Sequence, residues 1–163
     1  MIELEIPGWK SLRLAHLVLD VNGTLTLDGT LLSGVRERIA ALRPLLELHL
    51  LSADTFGRLD AIAADLAVAA TRLRAGVSEA EQKSRVVRAL GPAGVVAIGN
   101  GANDTAMLEE AALGIAVLGH EGLATAALSA ADVLAGSIDE ALDLFSSPRR
   151  LVATLRRWEP VPP

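Results

Sequence analysis

The chain has 163 residues and a net charge of −5, and it contains no cysteine. This length suits one compact domain that buries its own core, so we expect a single domain over residues 1–163. The lack of cysteine excludes disulfides and thiolate chemistry. The acidic balance, with two Phe, two Trp and no Tyr, argues against nucleic-acid binding, which needs a basic surface and often stacking aromatic side chains.

Hydrophobic residues make up 51% of the chain, yet no run reaches the roughly 18 apolar residues that a membrane span needs. Charged residues interrupt the first ten positions, so no secretory signal is visible there. We therefore expect a cytoplasmic protein with a large core and no membrane partner.

Apolar runs of strand length alternate with stretches of helical period along the chain. This alternation is typical of β-α units around a mainly parallel sheet, and nearly continuous apolar runs suit strands covered on both faces. The predicted strands cover residues 14–19, 46–51, 67–73, 95–98 and 115–118, with a weak one near Val133. The predicted fold class is α/β, a Rossmann-like three-layer α/β/α sandwich.

Capping residues set the predicted helix boundaries. Ser33 and Thr55 are candidate N-caps of helices that run to residues 42 and 66. Ser78 opens a capping-box spacing, and Gly91 ends the helix that follows it. Further helices are predicted over residues 104–112, 121–128, 138–145 and 149–158.

Two motifs that follow predicted strands carry the functional signal. Residues 18–26 read VLDVNGTLT and residues 96–104 read VAIGNGAND, each an apolar run that ends in an acidic, glycine-containing loop. Ligands of open α/β sheets bind beyond the carboxyl ends of the strands. We therefore expect Asp20, Ser52 and Asn100, which all follow strands, to converge on one crevice.

These motifs resemble the first and fourth signature motifs of the haloacid dehalogenase (HAD) superfamily, whose members mostly transfer phosphoryl groups with Mg²⁺. The resemblance implies that Asp20 is the nucleophile and forms an aspartyl phosphate. Ser52 matches the second motif and Lys83 the third, which implies that both hold phosphoryl oxygens. The four motifs occur in the family's order over residues 14–118.

Each of these residues also has a purely structural interpretation. Asp20 and Asn22 suit an ordinary turn at a strand end, and Ser52 suits a helix cap. Lys83 would then be a solvated helix lysine. The chain has 15 basic residues, of which only Lys10 and Lys83 are lysine, and this scarcity favours the functional interpretation of Lys83.

Asn22 and Asn100 occupy positions where HAD phosphatases usually carry aspartate. The resemblance assigns Mg²⁺ to Asp20, the carbonyl of Asn22, Asn100 and Asp104, and a neutral amide at position 100 predicts weak Mg²⁺ binding. Asn22 has no carboxyl proton, so it cannot act as the general acid or base, a role worth roughly 10²–10⁴-fold in rate. P-type ATPase phosphorylation domains, which the first motif also resembles, carry a non-acidic residue there too.

HAD enzymes often carry a cap domain after the first motif or between the second and third. Residues 27–47 and 53–82 are too short for one, so we expect an uncapped site. Residues 25–32 predict a hairpin flap that turns at Asp28 and Gly29. The size resembles that of tetrameric sugar-acid phosphatases, so a homo-oligomer that covers the open site is compatible with the pattern.

The end of the chain predicts a basic amphipathic helix over residues 149–158 that docks Leu151, Leu155 and Trp158 on the core. Binding of an anionic ligand or a partner subunit is the alternative. The histidines are scattered, and neither His49 nor His120 has a ligand partner visible in the sequence.

Two functions follow from these patterns. The first is Mg²⁺-dependent phosphoryl transfer, or hydrolysis of phosphate esters or acyl phosphates, on a small phosphorylated substrate, and slow toward poor leaving groups. The second is a catalytically degenerate HAD-scaffold protein that binds phosphate or phosphorylated ligands or serves as an oligomeric interaction protein. Asn22 and Asn100 discriminate between the two, because each removes a carboxylate that turnover normally uses.

Overall fold

The computed structural model describes residues 1–158, in which ten strands and seven α-helices form. The strands are β1 (Ile2–Glu5), β2 (Ser11–Leu14), β3 (His16–Asp20), β4 (Thr26–Leu27), β5 (Thr30–Leu31), β6 (Glu47–Ser52), β7 (Ala69–Arg72), β8 (Val95–Gly99), β9 (Leu113–Val117) and β10 (Val133–Ala135). The helices are α1 (Val35–Leu42), α2 (Leu59–Leu66), α3 (Glu79–Leu90), α4 (Thr105–Glu110), α5 (Thr125–Ala130), α6 (Ile138–Ser146) and α7 (Arg149–Leu155).

Six strands form one parallel sheet in the spatial order β10-β9-β8-β3-β6-β7. Leu17 and Leu19 of β3 face a core formed with α1, α2, α6 and α7, whereas Val18 faces a second core formed with α3, α4 and α5. Helices therefore cover both faces of the sheet, which explains why its strands read as continuous apolar runs. The predicted three-layer α/β fold and its six strands are confirmed.

Several helix boundaries differ from the prediction. The helices predicted to begin after Ser33, after Thr55 and at Glu121 begin at Val35, Leu59 and Thr125. The start of α2 is delayed because the Asp54 carboxylate accepts hydrogen bonds from the backbone N–H groups of Arg58 and Leu59, at 2.7 and 2.8 Å. Asp54 thereby satisfies backbone donors at the start of the helix in place of Thr55.

The cap predicted for α3 is confirmed. The Ser78 hydroxyl accepts a hydrogen bond from the Glu81 backbone N–H at 3.3 Å, and the helix ends before Gly91, whose φ is 86°. This boundary fixes the position of Lys83 one turn inside the helix. The flap is also confirmed: β4 and β5 pair in antiparallel fashion around Asp28 and Gly29, with φ values of 50° and 73°.

The two ends of the described chain hold features that the sequence analysis missed or misplaced. β1 and β2 form an unpredicted antiparallel hairpin whose alternate residues are buried. α7 buries Leu151, as predicted, but it ends at Leu155, and Trp158 beyond it is 83% exposed. The predicted docking of Trp158 is therefore wrong. The chain leaves the helix because the Arg157 backbone N–H bonds the Pro7 carbonyl at 2.9 Å, beside the first hairpin.

Within residues 1–158, none of the helices combines the length and apolar character that crossing a bilayer requires. The segments that separate β3 from β6 and β6 from β8 hold only the flap, three α-helices, the edge strand β7 and a short 3₁₀ helix at Pro92–Gly94. The parallel register aligns Leu19 with Leu50 on one side and with Ile98 on the other. The loops after β3, β6 and β8 therefore leave the sheet at one edge.

Candidate active site

The loop after β3 holds Asp20 at the edge of the sheet. The Val21 carbonyl accepts backbone hydrogen bonds from Thr24, Leu25 and Thr26 at 3.3, 2.9 and 3.1 Å, so the chain turns tightly there. Gly23 adopts a φ of 79°, in the left-handed region that favours glycine. Asp20 itself is 6% exposed, and the turn aims its side chain across the edge.

A buried ion triad occupies the centre of this edge. The Lys83 ammonium lies 2.6 Å from the Asp20 Oδ1 and 2.6 Å from the Asp104 Oδ1. Lys83 is 1% exposed and Asp104 is 0% exposed, so solvent screens these contacts little. Three groups that are distant in sequence are thereby joined, and Lys83 is no solvated helix lysine.

The electrostatics of the triad follow from one ammonium shared between two carboxylates. Burial and repulsion from Asp104 raise the pKa of Asp20 to about 7, although Lys83 and the Thr24 hydroxyl act in the opposite direction. Burial alone would lower the pKa of Lys83, but the two carboxylates outweigh it and leave that pKa raised. Lys83 therefore stays charged at neutral pH, while Asp20 exchanges a proton near neutrality.

The loop after β8 is built around the Asp104 carboxylate. Its Oδ2 accepts hydrogen bonds from the backbone N–H groups of Asn100 and Gly101, at 3.0 and 2.8 Å. A Cβ on Gly99 would lie 2.4 Å from the Asp104 Cγ, so only glycine lets the carboxylate fold back over the strand end. Both Asp104 oxygens are thus engaged, one by Lys83 and one by the backbone.

Asn100 connects the triad to a third loop. Its Oδ1 lies 2.9 Å from the Thr24 hydroxyl, which also lies 3.0 Å from the Asp20 Oδ2. Its Nδ2 donates a hydrogen bond to the Gly122 carbonyl at 3.1 Å. An aspartate at position 100 would place a carboxylate oxygen next to the Gly122 carbonyl and repel it. The amide of Asn100 instead donates a hydrogen bond that holds the loop after β9.

A cavity of about 230 Å³ opens above these groups. The sequence-predicted residues that line it are Asp20, Asn22, Ser52 and Asn100. The Ser52 hydroxyl is 2% exposed and accepts a hydrogen bond from the Asp54 N–H at 3.0 Å, which fixes its oxygen at the end of β6. Lys83 and Asp104 form the layer beneath the lining. The structure thus brings all six predicted residues together.

The cavity also contains residues that the sequence analysis missed. They include Glu79, Asn103 and Glu121. Glu79 accepts a hydrogen bond from the Asn103 amide at 2.6 Å, whereas within residues 1–158 no side-chain or backbone donor bonds the Glu121 carboxylate. The Glu121 carboxylate packs against Gly23 in the loop after β3. A Cβ built on Gly23 would lie only 2.6 Å from the Glu121 Oε2. Glu121 follows a parallel strand, which is where ligand-binding residues of such sheets lie. The sequence analysis missed it because it assigned residue 121 to a helix.

A larger cavity of about 430 Å³ has Thr24 in its lining. The flap, the loop after β9 and the start of α6 line it with both apolar and hydroxyl side chains: Leu32, Ser33, Leu118, His120, Ser137, Ile138 and Asp139. It lacks a carboxylate and lysine pair like that beneath the smaller cavity. Thr24 connects it to the smaller cavity, because its hydroxyl contacts Asp20 and Asn100, which line that cavity.

Relatives in sequence cover parts of the chain, and no protein-family model matches it. The chain is 44% identical over 62 residues to uncharacterized protein MJ0073 of Methanocaldococcus jannaschii, a match that spans 38% of the chain and 67% of that protein. It is 46% identical over 39 residues to uncharacterized protein MJ0072 of the same organism, a match that spans 24% of the chain and 89% of that protein.

Solved structures match nearly the whole chain. A 3-deoxy-D-manno-octulosonate 8-phosphate phosphatase from Moraxella catarrhalis, in complex with magnesium, phosphate and KDO, has a TM-score of 0.64 and 18% identity over 88% of this chain and 94% of that one. The cobalt-bound phosphatase of the same kind from Haemophilus influenzae has a TM-score of 0.66 and 16% identity over 89% and 94%. A phospho-aspartyl intermediate analogue of phosphoserine phosphatase has a TM-score of 0.64 and 14% identity over 83% and 99%.

The fold is therefore the one that solved HAD-family hydrolases have, and within residues 1–158 no cap domain is inserted in it. The order of the four sequence motifs agrees with this fold. Within that fold, the chain belongs to the same family as the two M. jannaschii proteins. A fold shared at such low identity carries no activity by itself, so function has to be argued from the site.

The first prediction concerns the ion triad. Replacement Lys83→Met removes the ammonium and leaves two buried carboxylates together, so it should lower the free energy of unfolding by about 3–5 kcal/mol at pH 8. The loss should be smaller at pH 5, because Asp20, whose pKa is already raised, then takes up a proton. Urea unfolding at both pH values measures this difference.

Lys10 provides the matched control, since it is the chain's other lysine and is exposed. Its ammonium lies 4.0 Å from the Trp9 ring centroid, a contact worth about 0.5–1 kcal/mol at an exposed site. Equal losses from Lys83→Met and Lys10→Met would show that the triad contributes no special stability.

Proposed function

We propose that the protein is a HAD-like phosphohydrolase that transfers the phosphoryl group of a small phosphate ester or acyl phosphate to Asp20 and then to water. The buried contact of Lys83 with Asp20 and Asp104 carries this proposal. A carboxylate at the end of a parallel strand, with a fixed positive charge beside it, is an activated nucleophile next to a group that stabilises developing negative charge.

In the first step a carboxylate oxygen of Asp20 attacks phosphorus. The bond from oxygen to phosphorus forms as the bond from phosphorus to the leaving oxygen breaks, and the leaving oxygen takes a proton when its own basicity requires one. In the second step water attacks the aspartyl phosphate, which releases phosphate and restores Asp20. Ser52 and the neighbouring backbone N–H groups hold phosphoryl oxygens, while Lys83 offsets their charge.

The site fits Mg²⁺ through its donor chemistry. Asp20, the carbonyl of Asn22 and the Asn100 Oδ1 are hard oxygen donors around one cavity, and Mg²⁺ binds one or two carboxylates together with water and substrate phosphate. The bound ion supplies charge stabilisation to the transferring group. With one carboxylate among these donors, we expect weak affinity.

We assign Asp104 a positioning role instead of the direct metal contact expected from the sequence. Both of its oxygens are engaged, by the Lys83 ammonium and by two backbone N–H groups. It is 0% exposed and does not line the cavity. It holds the loop after β8 in place and fixes the ammonium beside Asp20.

Glu121 supplies the acid and base that Asn22 lacks. Its carboxylate lines the same cavity as Asp20 and Asn22 and reaches the turn at Gly23. It comes from the loop after β9, which the Asn100 amide holds through the Gly122 carbonyl. The exchange of carboxylate for amide at Asn22 and Asn100 is thus offset by a carboxylate from another strand end.

The competing function is a protein that binds phosphate or a phosphorylated ligand without turnover. The neutral side chains of Asn22 and Asn100 favour it, because they lower the negative charge around a bound phosphate. A site of that kind needs Lys83 and Ser52 but no nucleophile. Measurements on Asp20 therefore separate the two functions.

The second prediction tests the nucleophile. The parent protein should release phosphate from acetyl phosphate and p-nitrophenyl phosphate when Mg²⁺ is present, because both leaving groups depart without protonation. Asp20→Asn should lower this rate by more than about 10³-fold, since the amide is no nucleophile. Released phosphate and the intact mass of the protein are measured together.

Asp60→Asn is the control, because Asp60 is 86% exposed on α2 and pairs only with surface groups. Its rate should equal that of the parent. Binding of phosphate by the parent without release or adduct, and without any effect of Asp20→Asn, would assign the site to binding instead of turnover.

The third prediction tests Glu121. Glu121→Gln should slow hydrolysis of an alkyl phosphate by roughly 10²-fold or more, because its alkoxide leaving group needs a proton. Release of p-nitrophenolate from p-nitrophenyl phosphate in a single turnover should change much less. The exposed Glu109→Gln on α4 controls for the loss of one negative charge. Equal effects of Glu121→Gln on both leaving groups would remove Glu121 from this role.

The fourth prediction concerns pH. Asp20 binds a proton below pH 7, since burial and Asp104 raise its pKa to about 7, and a proton there competes with Mg²⁺. Affinity for Mg²⁺ should therefore be constant above pH 8 and fall about tenfold for each pH unit below 7. Calorimetric titration from pH 8.5 to pH 6 measures it. An affinity that stays unchanged down to pH 6 would place Mg²⁺ away from Asp20.

A further inference from the structure

A second group of ligand-type side chains lies at the opposite end of the sheet. His16 begins β3 and pairs in register with Glu47, which begins the neighbouring strand β6. His49 follows Glu47 by two residues, so both point to the same face of the sheet. Within residues 1–158, these three are the one group of three or more His, Asp or Glu side chains whose donor atoms lie close enough together to hold a metal ion.

The donor atoms of this group converge. The His49 Nε2 lies 3.3 Å from the His16 Nδ1. The Glu47 Oε2 lies 3.5 Å from the His16 Nδ1, and its Oε1 lies 3.8 Å from the His49 Nε2. The ring planes are tilted by 48° with centroids 5.4 Å apart, so the rings meet through their nitrogen atoms and do not stack.

These separations match those of ligands around one small cation. Zn²⁺ binds imidazole nitrogen and carboxylate oxygen at about 2.0–2.2 Å in a tetrahedron, which places neighbouring donor atoms about 3.3–3.5 Å apart. Two donor distances fall in that range, and the third exceeds it by a few tenths of an ångström on the side of an exposed carboxylate. One donor atom from each of the three side chains lies within 4.8 Å of the others.

We propose that His16, Glu47 and His49 form a binding site for Zn²⁺ or a similar divalent transition metal. Two imidazoles and one carboxylate suit such borderline ions, whereas Mg²⁺ and Ca²⁺ prefer sites made of oxygen alone. Three protein ligands leave one position for water. The side chains of His16 and His49 are 21% and 15% exposed and that of Glu47 is 67% exposed, so an ion reaches the site from solvent.

The site is separate from the candidate active site and does not rest on the proposed function. His16 and Asp20 are four residues apart on one strand, which places them about 13 Å from each other. An ion there joins the amino-terminal ends of β3 and β6, whose carboxyl-terminal ends carry Asp20 and Ser52. Since it binds only the folded arrangement, it stabilises the fold in proportion to its occupancy.

Without an ion, the same contacts are explained by one imidazole that donates a hydrogen bond to the other, with Glu47 as a nearby acceptor. The experiment must separate this arrangement from a metal site. It must also separate Zn²⁺ at the histidines from Zn²⁺ at Asp20. Excess Mg²⁺ achieves the second separation, because it occupies oxygen sites and competes poorly for imidazole.

The fifth prediction is therefore made for Zn²⁺ binding in excess Mg²⁺, measured by equilibrium dialysis with metal analysis and by ¹⁵N shifts of the histidine side chains. The parent should retain one Zn²⁺ per chain, with shifts at His16 and His49 but not at His120. His49→Gln should weaken binding by more than the roughly 10–100-fold that loss of an outer-shell partner costs. Zn²⁺ should raise the midpoint of thermal unfolding of the parent but not that of His49→Gln.

Two further variants make the result decisive. Glu47→Gln replaces an exposed side chain and so leaves the core intact. Weaker Zn²⁺ binding by this variant therefore cannot be attributed to misfolding. His120→Gln removes the remaining histidine and should bind Zn²⁺ as the parent does. A parent that retains no Zn²⁺, or equal retention by the parent, Glu47→Gln and His49→Gln, would overturn the proposal.

Discussion

The arrangement of the active edge depends on one buried ammonium. Lys83 lies between Asp20 and Asp104, and each of those carboxylates ends or follows a different strand of the sheet. Two carboxylates this close repel one another strongly in a site with little solvent, so the charge between them stabilises the positions of the loops after β3 and β8. The ammonium reaches that point because Ser78 fixes the start of α3.

The same interaction links stability with chemistry. One positive charge shared by two carboxylates leaves the pKa of Asp20 raised to about 7, so the candidate nucleophile is only partly ionised at neutral pH without a metal. A divalent cation or a phosphoryl group changes that balance of charge directly. Any cation or anion that enters the cavity therefore changes the ionisation of Asp20.

Asn22 and Asn100 take on a different meaning when the loop after β9 is considered. Read alone, they remove two carboxylates from a phosphatase pattern. In the fold, the Asn100 amide donates to the Gly122 carbonyl, and this loop brings Glu121 into the cavity. The neutral Asn100 on the loop after β8 thus holds the loop after β9, which supplies the Glu121 carboxylate. The negative charge of the cavity then comes from Glu121 as well as from Asp20.

The sequence by itself determined the α/β class, the six strands of the sheet, the cap at Ser78 and the chain order of the segments that carry Asp20, Ser52, Lys83 and Asn100. These features depend on local periodicity and turn chemistry, which neighbouring residues specify. The tertiary structure alone decided which atoms meet. It engaged Asp104 with Lys83 and the backbone, delivered Glu121 to the cavity, left Trp158 exposed and paired His16 with His49 across two strands. Contacts of this kind depend on strand order and register, and no stretch of sequence encodes the distance between residues that lie on separate strands.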